Sequence, residues 1–427
     1  MTTPQIPHIR DNATHLTRGT LALVAALAVV RVAVPLVALA ASGSKLPGLP
    51  RYDYVPTTGD GSGFYAATRE FLASWGRLPL AVLLVLVVFV TVGAAALVWA
   101  RSKRALALEW LVVLAATGFA LVVAAAVTQM NPPGAAVFGW PFVWSLPMLP
   151  YRALGFPLDA DIAFGFGLAL SLLANVVTVL ATAFAGLFAT GRRSVGLLAA
   201  SVFAFWPLLV GLVGGARAWG NGTWTIDAGL AMYTEPLSTA LVTVALALLL
   251  APRPTPLRLA VAGVVLGLAI AVKLSNVIVA VLALVLLAMR LGRTRVLPYL
   301  AGVVSSAPVL AAYWPKGYTG ETDLLPRHPF SVDYVIRNWR DSLLFGPRTL
   351  LVLVPLALLG WLALRSSWPR LLLAVWVLGN AVLYSSYRVT PDHPRFLFAS
   401  LPAVFVLWSA GVGTVALRVR GLRVRRA

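Results

Sequence analysis

The chain has 427 residues, of which 60% are hydrophobic and only 11% charged, with a formal net charge of +20. Its apolar residues come in repeated runs near the ~20 needed to cross a bilayer core, so it reads as a polytopic helical membrane protein and not as a β-barrel, which would show ~10-residue alternating segments. The absence of cysteine excludes disulfides and thiolate metal sites.

In chain order the apolar runs cover residues 19–41, 79–100, 107–128, 161–190, 195–214, 232–251, 259–289, 296–314, 349–364, 371–386 and 396–417. The first follows Arg10 and Arg18 and is longer than a usual signal core, so it is expected to stay as an uncleaved helix; Arg31 inside it is a charge that faces the protein interior or snorkels to an interface. Basic clusters separate alternate runs: Arg101, Lys103 and Arg104; Arg192 and Arg193; Arg253 and Arg258; Arg290, Arg293 and Arg295; Arg365 and Arg370; and the tail at 418–427. Short loops rich in Lys and Arg stay cytoplasmic, so the basic charge marks topology and excludes a nucleic-acid footprint. Run 259–289 has basic clusters at both ends and must return to the side it left. The expectation is a short hairpin turning at "VKLSN", with Lys273, Ser275 and Asn276 at its tip. The whole chain, 1–427, then forms one all-α polytopic membrane domain of about twelve passes, with both termini cytoplasmic.

The opposite face receives 42–78, 129–160, 215–231, 315–348 and 387–395, and of the 14 acidic residues only Asp11 and Glu109 fall on the cytoplasmic side. In "TTGDGSGFYAATREF", Asp60 lies in a Gly-rich turn, and Phe64, Tyr65, Phe71 and Leu72 follow at helical spacing, as in an amphipathic helix lying in the interface. Asp60 is then either a helix cap or a carboxylate presented to a ligand. Glu235 opens another helix beside Pro236, while Arg388, Asp392, His393 and Arg395 precede the last span. Capping, snorkelling and headgroup contact are the structural alternatives for these residues. Within 315–348, "SVDYVIRNWRDSLL" reads as an amphipathic helix capped by Ser331, serving as an acceptor-side lid or a surface helix resting on the membrane.

At these residues the chain resembles the GT-C superfamily of integral membrane glycosyltransferases, of the protein mannosyltransferase and aminoarabinose transferase kind. The resemblance rests on Asp60 in the first outer loop, the Pro132–Pro133 loop, the "EPL" helix start at Glu235, "GLAIAVK" ending at Lys273, and "HPRFLFASLP" from His393. It implies a sugar donor carried on a polyprenyl phosphate, an extracytoplasmic glycan, lipid or protein acceptor, and a plasma-membrane location with the active site outside. The family's first-loop carboxylate, the proposed base, corresponds to Asp60. Many members carry a paired acidic motif where this chain has "GDGSG", and two extra spans precede the Pro-Pro loop, which leaves Asp53, Glu70 and Glu235 as alternative bases.

The chemistry fits such parts. A lipid phosphate leaves as a stable anion, so the need is for a base on the acceptor hydroxyl and cations on the phosphate. Lys273, Arg388 and Arg395 are the phosphate candidates, and Tyr65, Trp140 and His393 the candidates for sugar contact. One-step displacement would invert the anomeric centre. The four histidines show no ligand spacing. Carboxylates could hold a divalent metal, but the resemblance to lipid-monophosphate users implies a reaction without a cofactor. The rival readings are a polytopic transporter, with Arg31, Lys273 and Asn276 along its pathway, and a non-catalytic envelope scaffold.

Overall fold

A computed structural model describes residues 17–40, 60–77, 93, 108–129, 139–209, 234–317, 330–340, 347–387 and 396–424. These form helices α1 (Arg18–Ala40), α2 (Asp60–Arg77), α3 (Leu108–Thr128), α4 (Gly139–Ser145), α5 (Met148–Ala153), α6 (Ala160–Thr190), α7 (Arg193–Ala204), α8 (Thr234–Leu250), α9 (Pro256–Val272), α10 (Val277–Leu291), α11 (Leu297–Val304), α12 (Ala307–Gly317), α13 (Val332–Arg340), α14 (Pro347–Ala363), α15 (Ser367–Ser385) and α16 (Leu401–Val424). Among the described residues there is no strand; a single antiparallel bridge joins Phe330 to Tyr387. Among the described residues four helical segments are long and apolar enough to cross a membrane, Leu108–Thr128, Ala160–Thr190, Leu274–Leu291 and Phe398–Val419, and shorter apolar helices accompany them. The fold is therefore all-α and suited to a bilayer. The apolar run at 79–100, apart from Gly93, lies outside the described residues.

Local chemistry sets the boundaries. Asp159 caps α6 by accepting from the Ile162 amide at 2.8 Å, and Gly191, at φ 68°, ends it with its N–H on the Leu187 carbonyl. Thr255 caps α9, with Pro256 in the first turn, where no N–H is needed. The apolar run 296–314 is two helices and not one. Pro308 has no N–H to offer the carbonyl of Val304, and the Ser305 hydroxyl takes the Gly302 carbonyl at 2.6 Å, so the ladder breaks at Ser305–Ser306.

Side-chain contacts define two ends of the bundle. Trp368, at the start of α15, donates to the Leu249 carbonyl at the end of α8 and lies under the Arg290 guanidinium, 4.5 Å from its ring centroid. Tyr384, at the other end of α15, meets Ser275 at 2.6 Å. Trp368 and Tyr384 lie sixteen residues apart on α15, which separates these two contacts by roughly 24 Å at ~1.5 Å per residue. Helix α10 therefore runs antiparallel to α15, from Ser275 at one end to Arg290 at the other. Helix α9 arrives at that same turn from the arginine-rich end, so the chain reverses at Lys273–Asn276.

The buried core joins α1, α6, α7, α8, α9, α10, α15 and α16. Without a strong solvent-driven force between helices in lipid, close approach depends on small residues. Helices α9 and α11 touch at Gly263 and Gly302: a Cβ on Gly302 would lie 2.5 Å from the Ala260 carbonyl oxygen and 2.7 Å from the Val264 nitrogen. Helices α14 and α16 touch in the same way at Gly360 and Gly411, where a Cβ on Gly360 would run into the Leu407 carbonyl. Gly360→Val is accordingly expected to lower stability by about 1–3 kcal/mol. In detergent-solubilised protein its thermal midpoint should fall clearly, whereas Gly165→Ala, with open space around the added carbon, should leave the midpoint within about a degree.

Candidate functional site

The end of the bundle opposite the arginines is where polar side chains converge. Thr234, Glu235 and Pro236 start α8, so the Glu235 carboxylate sits at a helix N-terminus, where the backbone dipole favours negative charge. It is only 3% exposed, and its Oε1 lies 3.2 Å from Lys273 Nζ, while the Thr234 hydroxyl donates to Oε2 at 3.4 Å.

Lys273 is available because α9 stops there. Its backbone is extended (φ −150°, ψ 107°), and a short 3₁₀ turn, Leu274–Asn276, follows before α10. Asn276 locks that turn, its amide donating to the Ala269 carbonyl at 2.8 Å and to the Ser238 hydroxyl of α8 at 2.9 Å. The Lys273 ammonium also lies 5.3 Å from the ring centroid of Tyr384 and 5.2 Å from that of Phe396, two rings that stack on each other at 5.1 Å. Cation–π attraction thus supplements the ion pair.

Helix α13 closes one side of this cluster. Asn338 donates to the carbonyls of Ser385 and Tyr387, both at 2.8 Å, and the Trp339 indole donates to the Ser385 hydroxyl at 2.9 Å. The Ser331 hydroxyl accepts from the Asp333 amide at 3.2 Å at the helix start. Val332, Ile336 and Trp339 share the exposed face of α13.

An apolar cavity of about 270 Å³ lies between α3, α4, α8, α9 and α12, walled by Phe119, Val123, Phe142, Leu241, Leu268 and Val309. Leu237 and Val272, two residues from Glu235 and one from Lys273, also line it. Gly139 lets α4 close this wall, since a Cβ there would come 2.6 Å from the backbone of Val272.

A second cavity, of about 420 Å³, lies among α2, α5 and α6, lined by Tyr65, Thr68, Arg69, Met148, Arg152 and Phe156. Tyr65 therefore borders open space. Trp140 is fully buried, its ring 5.8 Å from that of Trp144, which donates to the Ala163 carbonyl at 2.7 Å. Glu70 is half-buried on α2, one carboxylate oxygen shut off from solvent. Asp60 is the first residue of α2, its side chain outside the described residues, as are Asp53, Arg388, His393 and Arg395. The structure thus unites Glu235 with Lys273 and puts Tyr65 at a different cavity.

Sequence reasoning missed Tyr384 and Phe396, whose aromatic character resembles that of any interfacial anchor, and Arg69 and Arg152. Among the described residues no group of three or more His, Asp or Glu side chains converges as a metal site would require. No family model matches the chain, and comparisons with curated proteins and with solved structures find no match either.

A paired charge among apolar helices is costly to break, because the survivor stays desolvated. Lys273→Met alone should destabilise the protein by about 3–5 kcal/mol, and Glu235→Leu combined with Lys273→Met should recover most of that loss. Unfolding of the single and double variants in mixed micelles measures both values.

Proposed function

We propose that this protein is a GT-C-like glycosyltransferase of the plasma membrane that moves one sugar from a polyprenyl phosphate to an extracytoplasmic glycan, lipid or protein. In this reading the chain makes about twelve passes with both termini cytoplasmic, and the Glu235–Lys273 end faces outward, as the Lys and Arg distribution requires. The observation that carries the proposal is the ammonium of Lys273 held among Glu235, Tyr384 and Phe396 at the end of the bundle opposite the arginines. An ammonium so placed suits the anionic head of a lipid phosphate, and the apolar cavity that Leu237 and Val272 help to line offers room for hydrocarbon.

The donor phosphate would accept from Lys273 Nζ in place of Glu235, whose carboxylate holds the ammonium in position between substrates. Tyr384 and Phe396 would keep the ammonium directed at the phosphate by flanking it. The acceptor oxygen then attacks the anomeric carbon as the carbon–oxygen bond to phosphate breaks. The acceptor's proton goes to a carboxylate, and the electron pair of the broken bond leaves on the phosphate, whose charge Lys273 stabilises. Asp60 is the proposed base on the strength of the family resemblance; Glu235, occupied by Lys273 and almost wholly buried, suits that task less well. Attack from the face opposite the phosphate inverts the anomeric configuration.

One observation favours transport as a second reading. Arg31 in α1 is 1% exposed, its Nε donates to Asn175 Oδ1 at 2.9 Å, and its guanidinium lies 4.7 Å from the Phe203 ring centroid; intramembrane ionisable groups often mark pathways. Sugar transfer by purified protein in nanodiscs, supplied with labelled polyprenyl-phosphate sugars and a membrane acceptor extract, separates the two. The enzyme reading expects transfer by the wild type, a fall of at least about 100-fold with Asp60→Asn, and a rise of about tenfold or more in donor KM with Lys273→Gln. Uptake of labelled substrate into proteoliposomes without any product would instead establish transport.

A further inference from the structure

At the arginine-rich end, a cavity of about 490 Å³ is lined by Arg192, Arg365 and Arg418. It lies where the end of α6, the start of α7, the α14–α15 junction and the last turns of α16 meet. No acidic side chain among the described residues lines it. A guanidinium keeps its charge at every physiological pH, so three of them around one cavity repel one another until an anion is supplied. Two helices begin at this wall, α7 after Arg192 and α15 after Ser366, and neither first turn is capped by a side chain. Their amide groups add to the positive potential. Thr190 and Thr414 are already used by their own helices, donating to the Gly186 and Ala410 carbonyls at 2.7 and 2.8 Å, which leaves the Ser366 hydroxyl as a neutral donor in the lining.

The remaining wall is apolar: Val195, Leu364, Ala410 and Leu417. Leu417, 51% exposed, and the neighbouring Leu362, 63% exposed, continue that apolar surface onto the outside of the bundle. Basic pockets between helices at the cytoplasmic side suit anionic lipid headgroups, whereas a free inorganic anion has no use for an apolar rim. We propose that this cavity binds the phosphate headgroup of an anionic phospholipid, with its acyl chains along α14 and α16. It lies at the end of the bundle away from Glu235 and Lys273, and it does not depend on the catalytic reading.

The test is lipid binding by purified full-length protein in neutral detergent, read by native mass spectrometry. The probes are short-chain phosphatidylglycerol, phosphatidylcholine of the same chain length, and inorganic phosphate. The expected result is phosphatidylglycerol binding at least about tenfold tighter than phosphatidylcholine, weakened by salt and reduced about tenfold or more in Arg192→Gln/Arg365→Gln/Arg418→Gln. Should the triple variant fail to fold, Arg365→Gln alone, at an exposed junction residue outside the helices, should still weaken binding severalfold while keeping the wild-type melting curve. Equal binding of the two lipids would overturn the proposal, as would undiminished binding in a folded variant. Saturation by inorganic phosphate with no preference among lipids would assign the site to a soluble anion and overturn the lipid assignment.

Discussion

A carboxylate and an ammonium held 3.2 Å apart among apolar helices form the constraint around which one end of this molecule is organised. Desolvating the two charges costs several kcal/mol per ion, and their attraction repays this only with good geometry and further hydrogen bonds. The surroundings supply both. The break in the chain at Lys273, the Asn276 bonds to α9 and α8, the Tyr384–Ser275 contact and the stacked ring of Phe396 all fix the ammonium in place. A hydrophobic pair would hold the helices with less cost, so the retention of two charges points to use of the site.

The two ends of the bundle differ in chemical character. At one, arginines gather at helix junctions around Trp368 and at the α14–α15 turn, as expected where a protein meets the charged surface of a membrane. At the other, a carboxylate and an ammonium pair beside the stacked rings of Tyr384 and Phe396. Helix α13 is fastened to this second end through Asn338 and Trp339 while Val332 and Ile336 stay exposed. An amphipathic helix so placed can rest on lipid beside this end of the bundle.

Much of the helical layout was legible because long apolar runs with polar ends leave few alternatives in lipid. The reversal at Lys273–Asn276 was legible for the same reason, as a polar cluster inside an apolar run with basic residues at both ends. The break at Ser305–Ser306 went unread, although Pro308 carried the signal, because hydropathy averages over a single missing N–H. The convergence of Glu235 with Lys273 could not be read. The two lie 38 residues apart, each has a local role that explains it alone, and only the packing of α8 against α9 brings them together. Phe396 and Tyr384 were hidden more thoroughly still, since nothing in a sequence distinguishes an aromatic that flanks a cation from one that anchors in an interface.

The most direct test of the central claim, that Lys273 receives the phosphate of an isoprenoid whose chain enters the apolar cavity lined by Leu237 and Val272, is photolabelling with a diazirine-tagged farnesyl phosphate. Labelled residues would be mapped by peptide mass spectrometry in wild type and in Lys273→Gln. The account predicts labels on Val123, Leu241 or Val309, which line the cavity, with most of that labelling lost in the variant. Labels spread over outward-facing residues such as Leu173 and Val382, unchanged by the substitution, would contradict it.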